Sequence, residues 1–248
     1  MRRHTKCSVL PSKNSLPVYH NIKTIFVRVP KTATTSICEK LYTADTFAKY
    51  FVGGEAKSNN TTQEVEKHES IRQIRSNTPE DQFKDYFKVG FVRNPWDWLV
   101  SYHSYYNTYG SSEKKVLKEG KYQRISNRFA GLSFGDFLSK VEEELEEYNM
   151  NEDHDRSSQV HYPHQPQHKY LVDDDGIVID FVGRYENLQE AWSSLRDKLN
   201  IDSRYRDMEL PRLNVSERED YRTYYKDKDI ERVQNLYRKD IQLFQYSY

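Results

Sequence analysis

The sequence predicts an α/β fold built on a central, mainly parallel sheet with helices on both faces. Two observations carry this. Apolar, β-branched runs of strand length recur at residues 22–29, 87–93 and 176–183, and segments with helical spacing lie between and after them. Strands that alternate with helices pair in parallel, because each crossover returns the chain to the same end of the sheet. Such strands are buried on both faces and read as continuous apolar runs.

Residues 1–21, with Pro11, Pro17 and scattered Ser and Asn, read as an irregular lead-in to one domain over 22–248. Ile22-Lys23-Thr24-Ile25-Phe26-Val27-Arg28-Val29 is the first strand, and a polar turn leads from it into a helix carrying Ile37 and Leu41. Val65, His68, Ile71, Ile74 and Arg75 keep helical spacing, closed by Pro79. Phe87 to Arg93 is the second strand. Asn94-Pro95 then starts a helix: the Asn side chain caps an orphan amide, and proline at the first helical position gives up no hydrogen bond. Trp96, Leu99, Val100 and His103 form the inward stripe of that helix. Phe134 to Tyr148 reads as an amphipathic helix inside a stretch, about 105–170, that is otherwise loop-rich, polar and rich in His, and is expected to face the acceptor. Gly176 to Gly183 is the third strand, followed by a helix from Leu188 to Leu199. A last helix covers about 229–244, with Ile230, Val233, Leu236, Tyr237 and Ile241 turned inward.

Hydrophobic residues make up only 36 % of the 248, and charged residues 31 %. The 20 Tyr, 11 Phe and 3 Trp offset this, since each buries a large area and keeps a polar tip for wet pockets. Lys plus Arg equals Asp plus Glu at 38 each, so no global field draws nucleic acid or an anionic membrane, and any anion site must be local. Cys7 and Cys38 form no disulfide framework and match no metal spacing; Cys38 is expected to serve as a small hydrophobe. The basic Met1-Arg2-Arg3-His4-Thr5-Lys6 start is followed by no apolar core of a signal peptide, and no run of about 18 apolar residues occurs. The expectation is a cytoplasmic chain without a membrane segment, with the Golgi lumen open only if an anchor has been removed.

Two segments carry chemistry. After the first strand comes Val29-Pro30-Lys31-Thr32-Ala33-Thr34-Thr35-Ser36, which lacks the Gly-x-x-x-x-Gly-Lys-Ser/Thr spacing of a Walker loop. It places a lysine, four hydroxyls and small residues at a helix mouth, where unpaired amides and the helix dipole favour a polyanion. Read alone, it is equally an ordinary capped helix start. In the second segment Arg93 ends a strand, and Ser101 lies on the helix face shared with Asn94 and Asp97. The seven helical residues that separate them span about 10 Å. An arginine fork and a hydroxyl can hold a second phosphate.

Together these segments resemble the sulfotransferases that use 3′-phosphoadenosine 5′-phosphosulfate (PAPS). Pro30-Lys31-Thr32-Ala33-Thr34-Thr35 is similar to the family's 5′-phosphosulfate loop, and Arg93-Asn94-Pro95-Trp96-Asp97-Trp98-Leu99-Val100-Ser101-Tyr102 to its 3′-phosphate segment. The hallmark Phe91-Val92-Arg93-Asn94-Pro95-Trp96-Asp97 is closest to the carbohydrate branch. The likeness continues through Lys67-His68, Tyr86-Phe87-Lys88, Asp180 to Leu188, Leu213-Asn214 and Tyr221 to Tyr225. Ala33 stands where many cytosolic members have glycine, and the Arg-Lys-Gly adenosine motif of those enzymes is missing.

The resemblance implies a P-loop-NTPase-like three-layer fold and PAPS as donor, with no metal. It also implies a hydroxyl acceptor of the saccharide class. Pro30, Lys31, Thr32, Ala33, Thr34, Thr35, Ser36, Arg93, Ser101, Asn214 and Ser216 are the implied donor contacts, and Lys31 stabilises charge on the departing phosphate. His68 is the implied general base, with Glu69 as the neighbouring alternative. His161, His164 and His168 could form a loose metal site, or touch the acceptor with Tyr162; a solvated loop is the simpler expectation. Two rival functions remain. Ile177-Val178-Ile179-Asp180 looks like the Walker-B strand of a kinase, and a non-catalytic nucleotide- or glycan-binding relative would keep the same residues.

Overall fold

A computed structural model describes residues 17–51, 68–110, 128–150, 164–173, 176–199, 201, 209–211, 213 and 218–248. In chain order these form β1 (Val18–Tyr19), β2 (Thr24–Val27), α1 (Thr34–Phe51), α2 (Ile71–Asn77), α3 (Glu80–Asp85), β3 (Phe87–Val92) and α4 (Pro95–Gly110). There follow α5 (Phe134–Met150), α6 (His168–Leu171), β4 (Val172–Asp173), β5 (Gly176–Ile177), β6 (Phe181–Arg184), α7 (Leu188–Lys198), α8 (Asp227–Leu236) and α9 (Arg238–Leu243).

The main sheet has the order β1-β2-β3-β6. β2 runs parallel to β3 with Val27 opposite Gly90, and β3 runs parallel to β6 with Val92 opposite Arg184. Only β1, on the outer edge, is antiparallel. Alternation along the strands builds the three layers. Phe26, Val89 and Phe91 point to one face, where Ile37 and Leu41 of α1 and Trp192 and Leu195 of α7 cover them; half-buried Cys38 packs against this cluster. Ile25, Val27 and Val92 point to the other face, against Ile71 and Ile74 of α2, Phe83 of α3 and Tyr170 and Leu171 of α6. A third cluster, off the C-terminal ends of the strands, gathers Trp98 and Tyr102 of α4, Phe137 and Val141 of α5, and Val233 of α8.

Three local expectations change. The apolar run 176–183 is not one strand: Gly176–Ile177 pairs antiparallel with Val172–Asp173 in a separate hairpin, and only Phe181–Arg184 joins the main sheet. Asp180 explains the break, because its carboxylate accepts the Lys88 amide at 2.7 Å and its own amide donates to the Lys88 carbonyl at 2.9 Å. The helix expected at 65–75 starts at Ile71. Ser70 caps it in a reciprocal box with Gln73, a serine-to-glutamine spacing that the sequence displays, and His68 therefore lies in the turn before the helix. The last helix breaks at Tyr237, whose φ of −113° and ψ of 27° separate α8 from α9.

Of the stretch 105–170, α4 fills the beginning and α5 the middle. Residues 111–127 and 151–163, with His161 and Tyr162, lie outside the described residues. His164 and His168 are not solvated. His164 is fully buried against Tyr102, Phe129 and Phe137, with Nδ1 3.0 Å from Glu144 Oε1 and Nε2 3.2 Å from the Tyr106 hydroxyl. His168 Nδ1 meets Asp240 Oδ1 at 2.5 Å. Each ring serves its own carboxylate in the core, so the two do not converge on one metal. Among the described residues no group of three His, Cys, Asp or Glu side chains is gathered as a metal site requires. No described helix is long and apolar enough to cross a membrane.

Candidate active site

Three adjacent parallel strands deliver the site from their C-terminal ends. β2 runs into the loop that holds Lys31, β3 ends one residue before Arg93, and β6 ends one residue before Tyr185. Open α/β sheets place ligands at this edge.

The loop's backbone is turned by its own hydrogen bonds. The Val29 carbonyl accepts from the Thr32 hydroxyl at 2.8 Å, Pro30's from the Trp98 indole N–H at 2.7 Å, and Lys31's from Arg93 Nη1 at 3.0 Å. In a planar trans peptide the N–H points opposite to the C=O, and the chain has no cis bonds among the described residues. The amides of Lys31 and Thr32 therefore point away from the Trp98 and Arg93 side chains that hold the paired carbonyls. Lys31 and Ala33 both take positive φ, 62° and 61°. Such left-handed turns curl successive amides into an anion-binding concavity. Helix α1 follows, with the Ile37 N–H donating to the Ala33 C=O, so the positive end of the helix dipole is directed at the loop. The left-handed position also gives a physical reason for glycine at the equivalent of Ala33, since a β-carbon there costs about 1–2 kcal/mol.

Helix α4 lines the loop. Asp97, Ser101 and Tyr105 recur every fourth residue and share one face. Asp97 Oδ2 accepts from Arg93 Nε at 2.7 Å, and the Lys31 ammonium lies 4.3 Å from the Tyr105 ring centre. Ser101, buried, falls between these two anchored positions. Arg93 is itself buried, and its guanidinium stacks on Tyr185 at 3.8 Å.

A third cation joins them. Arg218 Nη2, 121 residues further along the chain, donates to the other oxygen of Asp97, so one carboxylate ties the guanidinium groups of Arg93 and Arg218. Burial first, then Arg93, then Arg218, pull the Lys31 ammonium down to about 8. Arg93 and Arg218 share the Asp97 carboxylate and Lys31 has no such partner among the described residues, so its charge is poorly compensated until an anion enters. Beside it opens a cleft of about 630 Å³, lined by Asn94, Asp97, Glu186, Arg218, Tyr221 and Arg222 among others.

His68, half-buried, is held by the residue that follows β2 on the way into the loop. Its Nδ1 lies 2.9 Å from the Arg28 carbonyl. A carbonyl only accepts, so Nδ1 carries the proton and the neutral ring keeps its lone pair on Nε2. Asn214 and Ser216 lie outside the described residues. Arg218, Tyr185 and Gln167, which pairs with the Arg93 backbone, were not picked out as site residues from the sequence. Each is distant in the chain from Arg93, and although Tyr185 lies in the Asp180 to Leu188 stretch of the likeness, nothing local marks its ring as the partner of that guanidinium.

The kinase reading loses its supporting feature. Asp180 precedes β6 and pairs with Lys88, at the strands' N-terminal ends, whereas a Walker-B aspartate must follow its strand to reach the nucleotide edge.

Fold and site together define an α/β protein with cationic side chains and a helix N-terminus gathered at the C-terminal edge of a parallel sheet. The chain belongs to the sulfotransferase family, whose model matches residues 16–247, and whose chemistry is sulfuryl transfer. Searches for similar proteins found no match among curated proteins and none among solved structures.

Proposed function

We propose that the protein transfers a sulfuryl group from PAPS to a hydroxyl of a saccharide. One observation carries the donor assignment. Two distinct anion-binding sets, the Lys31–Ser36 loop and the Arg93 fork, sit side by side and are joined through the Lys31 carbonyl at 3.0 Å. A nucleotide with two separated anionic groups, one at each end of its ribose, suits such a pair. The cleft beside Asp97 and Arg218 is the place for its nucleoside. The carbohydrate class of acceptor rests on the Phe91–Asp97 segment.

When bound, the donor supplies an activated sulfuryl group on a phosphate leaving group. In-line transfers of this kind depend on positioning and charge stabilisation. Lys31 and the amides at the mouth of α1 face the growing negative charge on the leaving oxygen and supply fixed positive ends. Arg93, braced by Asp97 and Tyr185, holds the 3′-phosphate and sets the ribose in place. His68 Nε2 is in the tautomer that accepts the acceptor hydroxyl's proton.

Labelled PAPS offered with saccharides, phenols, peptides and lipids tests the reading. A labelled saccharide is the expected product. Absence of any labelled product, with the donor unconsumed, sinks it. Lys31→Ala and Arg93→Ala should each lower turnover at least about a hundredfold, the scale seen for removal of one charge-stabilising group. Arg93→Ala should also weaken binding of 3′-phosphoadenosine 5′-phosphate by about tenfold or more, on the scale of a charge-assisted hydrogen bond. For His68→Ala, nucleotide affinity should persist while turnover collapses; full activity across pH would remove His68 as the base.

A further inference from the structure

Arg93 has a backbone problem that the sheet and helix leave to a side chain. It falls after the last residue of β3 and before the Asn94 cap of α4, and it is buried. Gln167, fully buried in the turn before α6, answers both groups: the Arg93 N–H donates to Gln167 Oε1 at 2.9 Å, and Gln167 Nε2 donates to the Arg93 carbonyl at 2.7 Å. The backbone amide can only donate and the carbonyl only accept, so only a primary amide placed this way satisfies both. Gln167 is itself seated. Asp240, buried in α9, accepts from the Gln167 amide at 2.6 Å and the His168 amide at 2.9 Å, and its Oδ1 also meets His168 Nδ1.

We propose that Gln167, seated by Asp240, is a positioning residue that sets selectivity for the donor's 3′-phosphate by fixing the backbone from which the Arg93 side chain springs. This rests on the PAPS reading of the site. Gln167 reaches the guanidinium only through Arg93's own main chain. A small rotation there is multiplied along a side chain that must meet Asp97, the Lys31 carbonyl and the face of Tyr185 at once.

The full chain is titrated calorimetrically with 3′-phosphoadenosine 5′-phosphate and with adenosine 5′-phosphate, which lacks the 3′ group. The ratio of the two Kd values reports 3′ selectivity. Gln167→Glu keeps size and the acceptor but sets a carboxylate oxygen against the Arg93 carbonyl; Gln167→Met removes both bonds. Each should cut the ratio about tenfold, the loss expected for a buried hydrogen bond left unmade, with adenosine 5′-phosphate affinity changed less than about twofold. In an Arg93→Ala background the same substitutions should leave the ratio unchanged, because coupled residues do not add. Folded variants that keep the wild-type ratio, or lose both ligands in proportion, overturn the proposal. So does failure of both variants to fold, which would make Gln167 a stability residue alone. A wild-type protein indifferent to the 3′-phosphate fails the donor reading first, before either variant is compared.

Discussion

Lys31 combines a charge the ligand needs with surroundings that oppose that charge. Its ammonium sits at about 8 because burial, Arg93 and Arg218 all disfavour it, while the unfolded chain holds it at its ordinary, higher value. Between the two the unfolded chain binds more protons, so this group makes the free fold more stable as pH rises from about 8 toward the unfolded value. A polyanion reverses the preference by restoring favourable charge around Nζ. Binding at pH 9 should therefore take up a proton, and affinity should fall by up to about tenfold per unit above the free-protein value. Calorimetry in two buffers of different ionisation heat counts that proton. Lys31→Arg, charged throughout, should bind without it. Zero uptake in the wild type at pH 9 contradicts the placement of Lys31 against the anion.

Elements were legible where their signals were local. The Asn94-Pro95 start is seen in the Trp96 amide donating to Asn94 Oδ1 at 3.0 Å, and the buried strands show as apolar runs. The break at Asp180 was not legible, because it is made by the Lys88 backbone 92 residues away. The break at Tyr237 leaves the hydrophobic period almost intact, yet it separates α8 from the helix that carries Asp240 to the Gln167 turn. Gly183 of β6 lies opposite Phe91 of β3 in the parallel pair, with little room between them. A β-carbon on Gly183 would lie 2.4 Å from the Phe91 ring, and Phe91 is wedged among Phe26 and Phe181. Gly183→Ala should therefore destabilise the fold by about 1–3 kcal/mol, the usual cost of overpacking, read as a lower denaturation midpoint. An unchanged midpoint would mean that the sheet gives way locally.

At the scale of the whole molecule, the site is a junction between parts of the chain that sequence keeps apart. The loop and Arg93 were readable because each sits in a contiguous motif. Arg218 and Gln167 were not, since 121 and 74 residues separate them from the partners they meet. The ligand-binding edge thus joins β2, β3, β6, α4 and the segment before residues 221–224. A nucleotide that bridges Lys31 and Arg93 binds only the assembled junction, so it should stabilise the entire fold through mass action, by about 2.7 kcal/mol at a hundred times Kd. For a chain of this size that corresponds to a Tm increase of roughly 5–10 °C. 3′-Phosphoadenosine 5′-phosphate should produce the shift in the wild type and in His68→Ala, because His68 is not one of the proposed anion clamps. Arg93→Ala should lose most of it at the same ligand concentration. Scanning calorimetry separates the cases, and an equal shift in Arg93→Ala would place the nucleotide somewhere other than this edge.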